Sequence, residues 1–269
     1  MNRLSFFLII AIVLSCNFFI NDALSQTPTV EKIVILPGDV PLHLVKIRCG
    51  SFFMGSQSSE KDMAPDEAPL HRVTISREFY LGKYEITQSQ WKALMGENPS
   101  VFHNFNFSGN HPVEMVSWED AQTFLQKLNE LGPGFFRLPT ESEWEYCCRA
   151  GTQSRFPWSD DPDYKLLSEY AWFYSRAEGK SHPVGQKKPN DWGLYDMHGN
   201  VWEWCGDWFD NFSGDPVTDP PGALSGTGRI IRGGSWFNEP EALRSANRHR
   251  HPTDSRQTNI GIRIVWIEK

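Results

Sequence analysis

Apolar residues along this chain fall into short alternating runs cut by turn residues, with three longer stretches at helical spacing. Alternation of period two marks strands, because successive side chains of a strand point to opposite faces. On that reading residues 42–47 and 52–54 flank Cys49-Gly50 as a hairpin-like pair, and residues 71–75 and 79–84 form another. Residues 57–69 are polar and contain Pro65 and Pro69, which predicts loop. Three helices are announced by capping boxes, in which a hydroxyl caps the helix and a side chain three positions on reaches back. They are Thr87 with Gln90, Ser117 with Asp120 (Asp in place of the usual Glu or Gln), and Thr140 with Glu143. Trp91, Leu94 and Met95 follow the first at helical spacing, and Ala121, Phe124, Leu125 and Leu128 make an apolar stripe in the second. Residues 152–228 read mostly as loop, and two predicted strands, 229–232 and 259–266, close the chain around a long irregular segment. One domain over 42–269, preceded by a linker or edge strand over 26–41, is the economical organisation.

The start of the chain follows a different pattern. Met1-Asn2-Arg3 is a short basic opening, residues 4–20 are largely apolar, and Ala23 and Ser25 put small residues at −3 and −1 before Gln26. This layout predicts a signal peptide over 1–25 and a secreted or periplasmic protein. An uncleaved anchor uses the same residues, since the run approaches the roughly 17 that span a bilayer; Ser15, Cys16 and Asn17 interrupt it. A lipoprotein cysteine at Cys16 is a third reading, in which Leu14 fits its position poorly. Loss of 1–25 removes Arg3 and Asp22, leaving 26 − 1 = 25 basic and 33 − 1 = 32 acidic residues, so the net charge stays at −7. An acidic chain argues against nucleic acid as partner, and no later apolar run is long enough to cross a membrane.

Composition adds that 11 Trp, 18 Pro and 21 Gly favour a core buried under irregular loops. Cys49, Cys147, Cys148 and Cys205 remain after cleavage and allow three pairings. Cys147 and Cys148 are adjacent on a predicted helix and point to different faces, so four reduced thiols and one bridge both stay open.

Eight blocks then carry a resemblance. They are residues 53–56 (FMGS), 67–71 (EAPLH), 84–87 (YEIT), 111–118 (HPVEMVSW), 137–151 (RLPTESEWEYCCRAG), 190–207 (NDWGLYDMHGNVWEWCGD), 232–235 (RGGS) and 259–263 (NIGIR). In this order, over about residues 42–265, the chain resembles the formylglycine-generating enzymes of the sulfatase-modifying factor family. The resemblance implies an α+β fold, a modified C-type-lectin-like domain with little regular secondary structure. It also implies a family activity, the oxygen-dependent oxidation of a protein cysteine to formylglycine.

The resemblance implies a structural calcium held by the side chains of Asp196 and Glu203 and the carbonyls of Gly199 and Val201. All four are oxygen donors, as a hard cation wants. The competing reading has Asp196 capping backbone amides and Glu203 paired with an arginine. A second family calcium position falls on Trp172, whose indole offers no oxygen. The two copper-binding cysteines of the oxidases align with Asn238 and with Leu243, or with a deletion there, and a pocket serine aligns with Ser235. Copper(I) prefers thiolates, and no cysteine follows Cys205, so copper is not expected. The family disulfide partner of Cys148 aligns with Ile264.

Other constellations carry less. His249 and His251 share a face if they lie on a strand and form a candidate metal pair, against a solvated loop. Glu239 and Glu241 are candidate acid–base groups near the oxidase position. Phosphate-loop, zincin, nucleophile-elbow and dinucleotide patterns are absent. The sequence therefore points to an exported binding or accessory module. Its expected recognition surface is Trp236, Phe237, Asn238, Glu239, Arg244, Asn247 and Arg248, facing a protein, peptide or small-molecule ligand. The alternative is an enzyme on the same scaffold, either an oxidoreductase using residues other than cysteine or a divergent formylglycine-generating oxidase.

Overall fold

The computed structural model describes residues 29–103, 108–132 and 134–268. The predicted signal peptide lies outside them. Twelve short strands and four helices are described: β1 (Glu31–Leu36), β2 (Val40–Ile47), β3 (Gly50–Met54), β4 (His71–Ile75), β5 (Phe79–Gly82), α1 (Gln88–Met95), α2 (Trp118–Glu130), β6 (Phe135–Arg137), α3 (Glu141–Arg149), α4 (Leu167–Tyr170), β7 (Trp202–Trp208), β8 (Val217–Thr218), β9 (Arg229–Arg232), β10 (Arg248–His251), β11 (Ile260–Gly261) and β12 (Val265–Ile267). They form three curled sheets, ordered β1-β2-β5-β12-β6, β10-β9-β7-β11 and β3-β4-β8. The segment read as linker or edge strand contains β1, which pairs antiparallel with β2 from Glu31↔Val45 to Leu36↔Val40. Among the described residues no helix is long and apolar enough to cross a membrane.

Local chemistry explains the helix starts. All three capping boxes form, including the Asp variant, where Ser117 N donates to Asp120 Oδ2 at 2.9 Å and Asp120 N to Ser117 Oγ at 3.1 Å. The stripe of α2 buries Ala121, Phe124, Leu125 and Leu128, and the Trp91 ring of α1 stacks on Phe124 at 4.9 Å.

The central strands face two cores at once. Leu42 and Leu44 of β2 enter one apolar cluster with Trp91, Phe124, Trp204 and Ile231, while Val45 and Ile47 enter the other with Trp144, Cys205 and Ile230. Strands buried on both faces carry little alternation, which is why residues 152–228 read mostly as loop. β7 (WEWCGDW) lies in that stretch, and its first four residues are all buried, so it shows no in–out alternation. The predicted strand 259–266 is two pieces: β11 pairs parallel with β7, and β12 pairs antiparallel with β5 and β6. Between them the chain turns Arg263 into the interior.

Cys49, Cys147, Cys148 and Cys205 are free thiols, the last three buried. Ile264, at the family's partner position for Cys148, is fully buried in the first core.

Candidate functional site

The segment from Asp196 to Glu203 winds through three left-handed residues, Asp196 (φ 55), Gly199 (φ 82) and Asn200 (φ 56), before entering β7. Gly199 is required where it stands, since a Cβ there would come within 2.1 Å of the Trp172 carbonyl oxygen. That carbonyl accepts from Asn200 N at 2.9 Å. The turn buries three carboxylates around one guanidinium. Glu203 Oε1 accepts from Arg263 Nη2 at 2.7 Å and Nε at 2.9 Å, and Oε2 accepts from Arg263 Nε at 2.9 Å and Trp144 Nε1 at 2.6 Å. Those four contacts use the roughly four lone-pair sites of a carboxylate. Arg263 also donates to the carbonyls of Gly82 (2.9 Å) and Tyr195 (2.8 Å), so its charge is satisfied in the dry interior. Glu85 accepts from Asn200 Nδ2 at 2.9 Å and Val201 N at 3.2 Å. Asp196 Oδ2 accepts from Gly185 N at 2.7 Å, while Asp196 Oδ1 is buried with no partner. Burial raises the Asp196 carboxyl to about 6, and burial with the neighbouring Asp196 and Glu203 charges raises Glu85 well above the usual carboxylate range.

This arrangement fits a cation in part. Three carboxyl groups face one guanidinium, burial disfavours the charged forms of Asp196 and Glu85, and the open Asp196 oxygen is an acceptor without a hydrogen-bond donor among the described residues. Glu203 does not fit as a ligand, contrary to the sequence expectation. Its lone pairs are engaged by Arg263 and Trp144, and exchanging that buried pair for an ion would strand the guanidinium. Trp172, which the resemblance aligns with a second family calcium position, has its ring stacked on His182 at 3.7 Å with Lys187 Nζ 3.8 Å from its centroid.

Of the residues that the resemblance aligns with the oxidase site, Ser235 and Asn238 lie in the turn after β9, and Leu243 ends the single-turn helix Pro240–Leu243 that follows. Ser235 is fully buried; its Oγ donates to Asn238 Oδ1 at 2.5 Å and accepts from Asn259 Nδ2 at 3.1 Å. Asn238 N returns to Ser235 O at 3.0 Å, and Asn238 O accepts from Tyr174 N at 3.0 Å. The amide is therefore tied into the turn on both sides. Leu243 is fully buried against Phe156, Leu167, Ala171 and Phe173, and its carbonyl accepts from His198 Nδ1 at 2.6 Å. That leaves His198 Nε2 as the acceptor facing Cys148 Sγ at 3.5 Å. Burial holds His198 down at about 4 and Cys148 up at about 12, so the contact joins a neutral ring and a neutral thiol.

The expected recognition surface divides. Phe237 is 59% exposed and meets Tyr174, 56% exposed, edge-on at 6.3 Å. Glu239 is also exposed and Asn238 half-buried. Trp236 is buried, donating Nε1 to Thr258 O at 3.1 Å and packing against Phe102 at 5.4 Å. Arg244 and Arg248 are not available for recognition, contrary to the sequence expectation. Arg244 forks onto Glu67 at 2.6 and 2.7 Å and reaches Glu60 at 2.9 Å; Arg248 forks onto Glu141 at 2.6 and 2.8 Å. Asn247 is half-buried, its Nδ2 3.5 Å from Glu67 Oε1. A guanidinium removed from water needs a carboxylate, and these two are committed. Tyr174, Glu85 and Arg263 were missed by sequence reasoning, because each joins its cluster only through chain reversal.

His249 and His251 do share a face of β10, their rings perpendicular at 5.2 Å. Among the described residues no group of three His, Cys, Asp or Glu side chains is placed to hold a metal ion. Glu241 is an exposed residue of the single-turn helix Pro240–Leu243.

Comparison with known proteins agrees with this geometry. The model of the sulfatase-modifying factor enzyme 1-like domain matches residues 37–267. Chaperone protein LppX of Paenibacillus barcinonensis is 30% identical over 270 residues, covering 80% of this chain and 86% of its own. The formylglycine-generating enzyme of Mus musculus is 32% identical over 214 residues, covering 73% of this chain, which spans 53% of the mouse protein's length. In structure, Treponema denticola variable protein 1 superposes with a TM-score of 0.80 at 30% identity, covering 90% of this chain and 100% of its own. The few helices, the curled sheets and the blocks from 53–56 to 259–263 have one common explanation: the chain belongs to the sulfatase-modifying factor family.

Proposed function

We propose that this chain is an exported binding or accessory member of the family that does not oxidise cysteine, and that it meets its ligand through Phe237, Tyr174, Asn238 and Glu239. One observation carries the reading. Where the oxidases hold copper, this chain has an amide tied to Ser235 and a leucine buried in apolar packing. Neither is a soft ligand. The nearby thiol, Cys148, is held neutral by burial. A relative named as a chaperone supports a binding role on this scaffold. Phe237 and Tyr174 supply exposed aromatic area of the kind that anchors recognition.

The test is to incubate the purified domain with oxygen, copper(I) and a sulfatase-type cysteine peptide, and to follow the peptide by mass spectrometry. The expected result is an unchanged peptide and substoichiometric copper. Aldehyde formation with one copper per chain overturns the reading.

We further propose a structural calcium on the Asp196 side of the carboxylate cluster, held by Asp196 Oδ1 with the carbonyls of Gly199 and Val201. The support is the orphaned oxygen and a cluster of buried carboxyl groups whose charged forms only a nearby cation would favour. An ion present at about 100 times its dissociation constant stabilises by roughly 2.7 kcal/mol. Chelation should then lower the melting temperature by about 5–10 °C. Asp196→Ala should abolish that response, while Glu203→Gln should lower stability whether or not the ion is present. A melting curve unmoved by chelation, in protein shown by elemental analysis to contain calcium beforehand, counts against the ion.

A further inference from the structure

A cavity of about 250 Å³ opens beside the end of β7, away from the Ser235 turn. Its floor is Asp207, which is 5% exposed. Asp207 Oδ2 accepts from Glu141 N, the first residue of α3, at 2.8 Å. The other oxygen, Oδ1, makes no hydrogen bond or ion pair with any described residue. Space is kept over it by Gly222 at φ +74, where a Cβ would stand 2.5 Å from Oδ1. Phe212, Val217, Pro220 and Pro221 make apolar walls.

Arg248 is paired elsewhere, and Arg229 feels the Asp207 charge without forming an ion pair with it. Arg248 is forked onto Glu141, donates to the carbonyls of Asp66 (2.7 Å) and Asp210 (2.9 Å), and lies over the Phe212 ring at 4.0 Å. Arg229 lies between the rings of Trp118 (4.0 Å) and Trp208 (3.8 Å) and donates to Gly206 O at 2.5 Å. Burial, then the charge of Glu141, raises the Asp207 carboxyl to about 7, with Glu143 adding to the push and Arg137 opposing it. A carboxylate so disfavoured gains more from an incoming cation than a solvated one does.

We propose that this cavity binds a primary alkylammonium group, held by the Asp207 carboxylate with its carbon stem along Phe212, Val217 and the Pro220-Pro221 wall. One open oxygen suits the compact point charge of an ammonium better than the planar fork of a guanidinium, which pairs best with two. The volume lies below the roughly 300–1,000 Å³ of pockets for drug-sized ligands, so the site takes a side-chain-sized group. A lysine of a partner protein and a free alkylamine share that chemistry. The site uses none of the residues assigned to the ligand surface above, so the two readings stand or fall apart.

The test is calorimetric titration of the full domain with n-butylammonium and with neutral 1-pentanol, in the unaltered chain, Asp207→Asn and Gly222→Ala. The expected result is saturable binding of the ammonium alone, weakened about tenfold or more by Asp207→Asn, as for loss of a charge-assisted contact. Gly222→Ala fills the space over Oδ1 and should have the same effect; it keeps the question open to test if Asp207→Asn does not fold. Equal binding of the alcohol, unchanged affinity in the folded variants, or no saturable binding to the unaltered chain overturns the proposal. Tighter binding of Nα-acetyl-lysine methylamide than of 1,4-diaminobutane assigns the site to a partner's lysine, and the reverse order to a free amine; both orders retain the ammonium site.

Discussion

Arg263→Met is expected to lower the melting temperature by about 10 °C or more, because it leaves Glu203 charged and buried without its partner. Breaking such a pair costs roughly 3–5 kcal/mol, and each kcal/mol moves a domain of this size by about 2–4 °C. Arg263 is fully buried and also holds the carbonyls of Gly82 and Tyr195, so β5 and the turn before Asp196 lose an anchor together. The double variant Arg263→Met with Glu203→Gln removes the stranded charge and should recover part of the loss. Paired thermal melts of the single and double variants measure this, and a single variant that melts within 2–3 °C of the unaltered chain would falsify the assignment of the pair as a core element.

Glu145→Ala should be as damaging or more so. Glu145 Oε1 accepts from Arg149 Nε at 2.8 Å and Gly55 N at 2.9 Å, and Oε2 accepts from Arg232 Nη2. Removing it leaves Arg149 without a carboxylate and Arg232 with only Glu141, at 3.7 Å, at a cost of about 3–5 kcal/mol. Arg232 directly precedes the Gly233-Gly234-Ser235 turn and also grips the carbonyls of Ser245, Ala246 and Asn247. Loss of Glu145 therefore loosens both ends of the loop that carries Phe237 and Asn238. The expected outcome is a melting temperature lower by about 10–15 °C, or recovery of the protein only as aggregate. Arg256→Ala is the control: its pair with Asp120, at 2.7 Å, is exposed, and its loss should cost less than about 3 °C. If control and variant behave alike, burial is not what makes the Glu145 network matter.

These networks join residues that no local sequence pattern connects. Ser235 and Asn238 were legible because they follow closely on the Arg232–Ser235 block, while the second position stayed open between Leu243 and a deletion; neither Asn nor Leu is a thiolate. The ligand surface was legible only in part. Phe237 and Glu239 face solvent, but Arg244 and Arg248, close along the chain and of the type that recognises ligands, face inward. Nothing in the local sequence distinguishes an arginine at a surface from one paired with Glu67, 177 positions away. Tyr174 joins Phe237 from a segment that carries no periodic signal.

The sequence by itself determined the helix starts, the family and the absence of any cysteine after Cys205. A capping box closes within four residues, and a block motif needs no partner elsewhere. The tertiary structure alone decided that β7 runs through the middle of a sheet, that Glu203 belongs to Arg263, and that Asp196 and Asp207 each keep an oxygen without a hydrogen-bond partner among the described residues. Charges 60 to 177 positions apart meet only when the sheets curl, and desolvation then sets which carboxylate is satisfied and which stays open to a ligand.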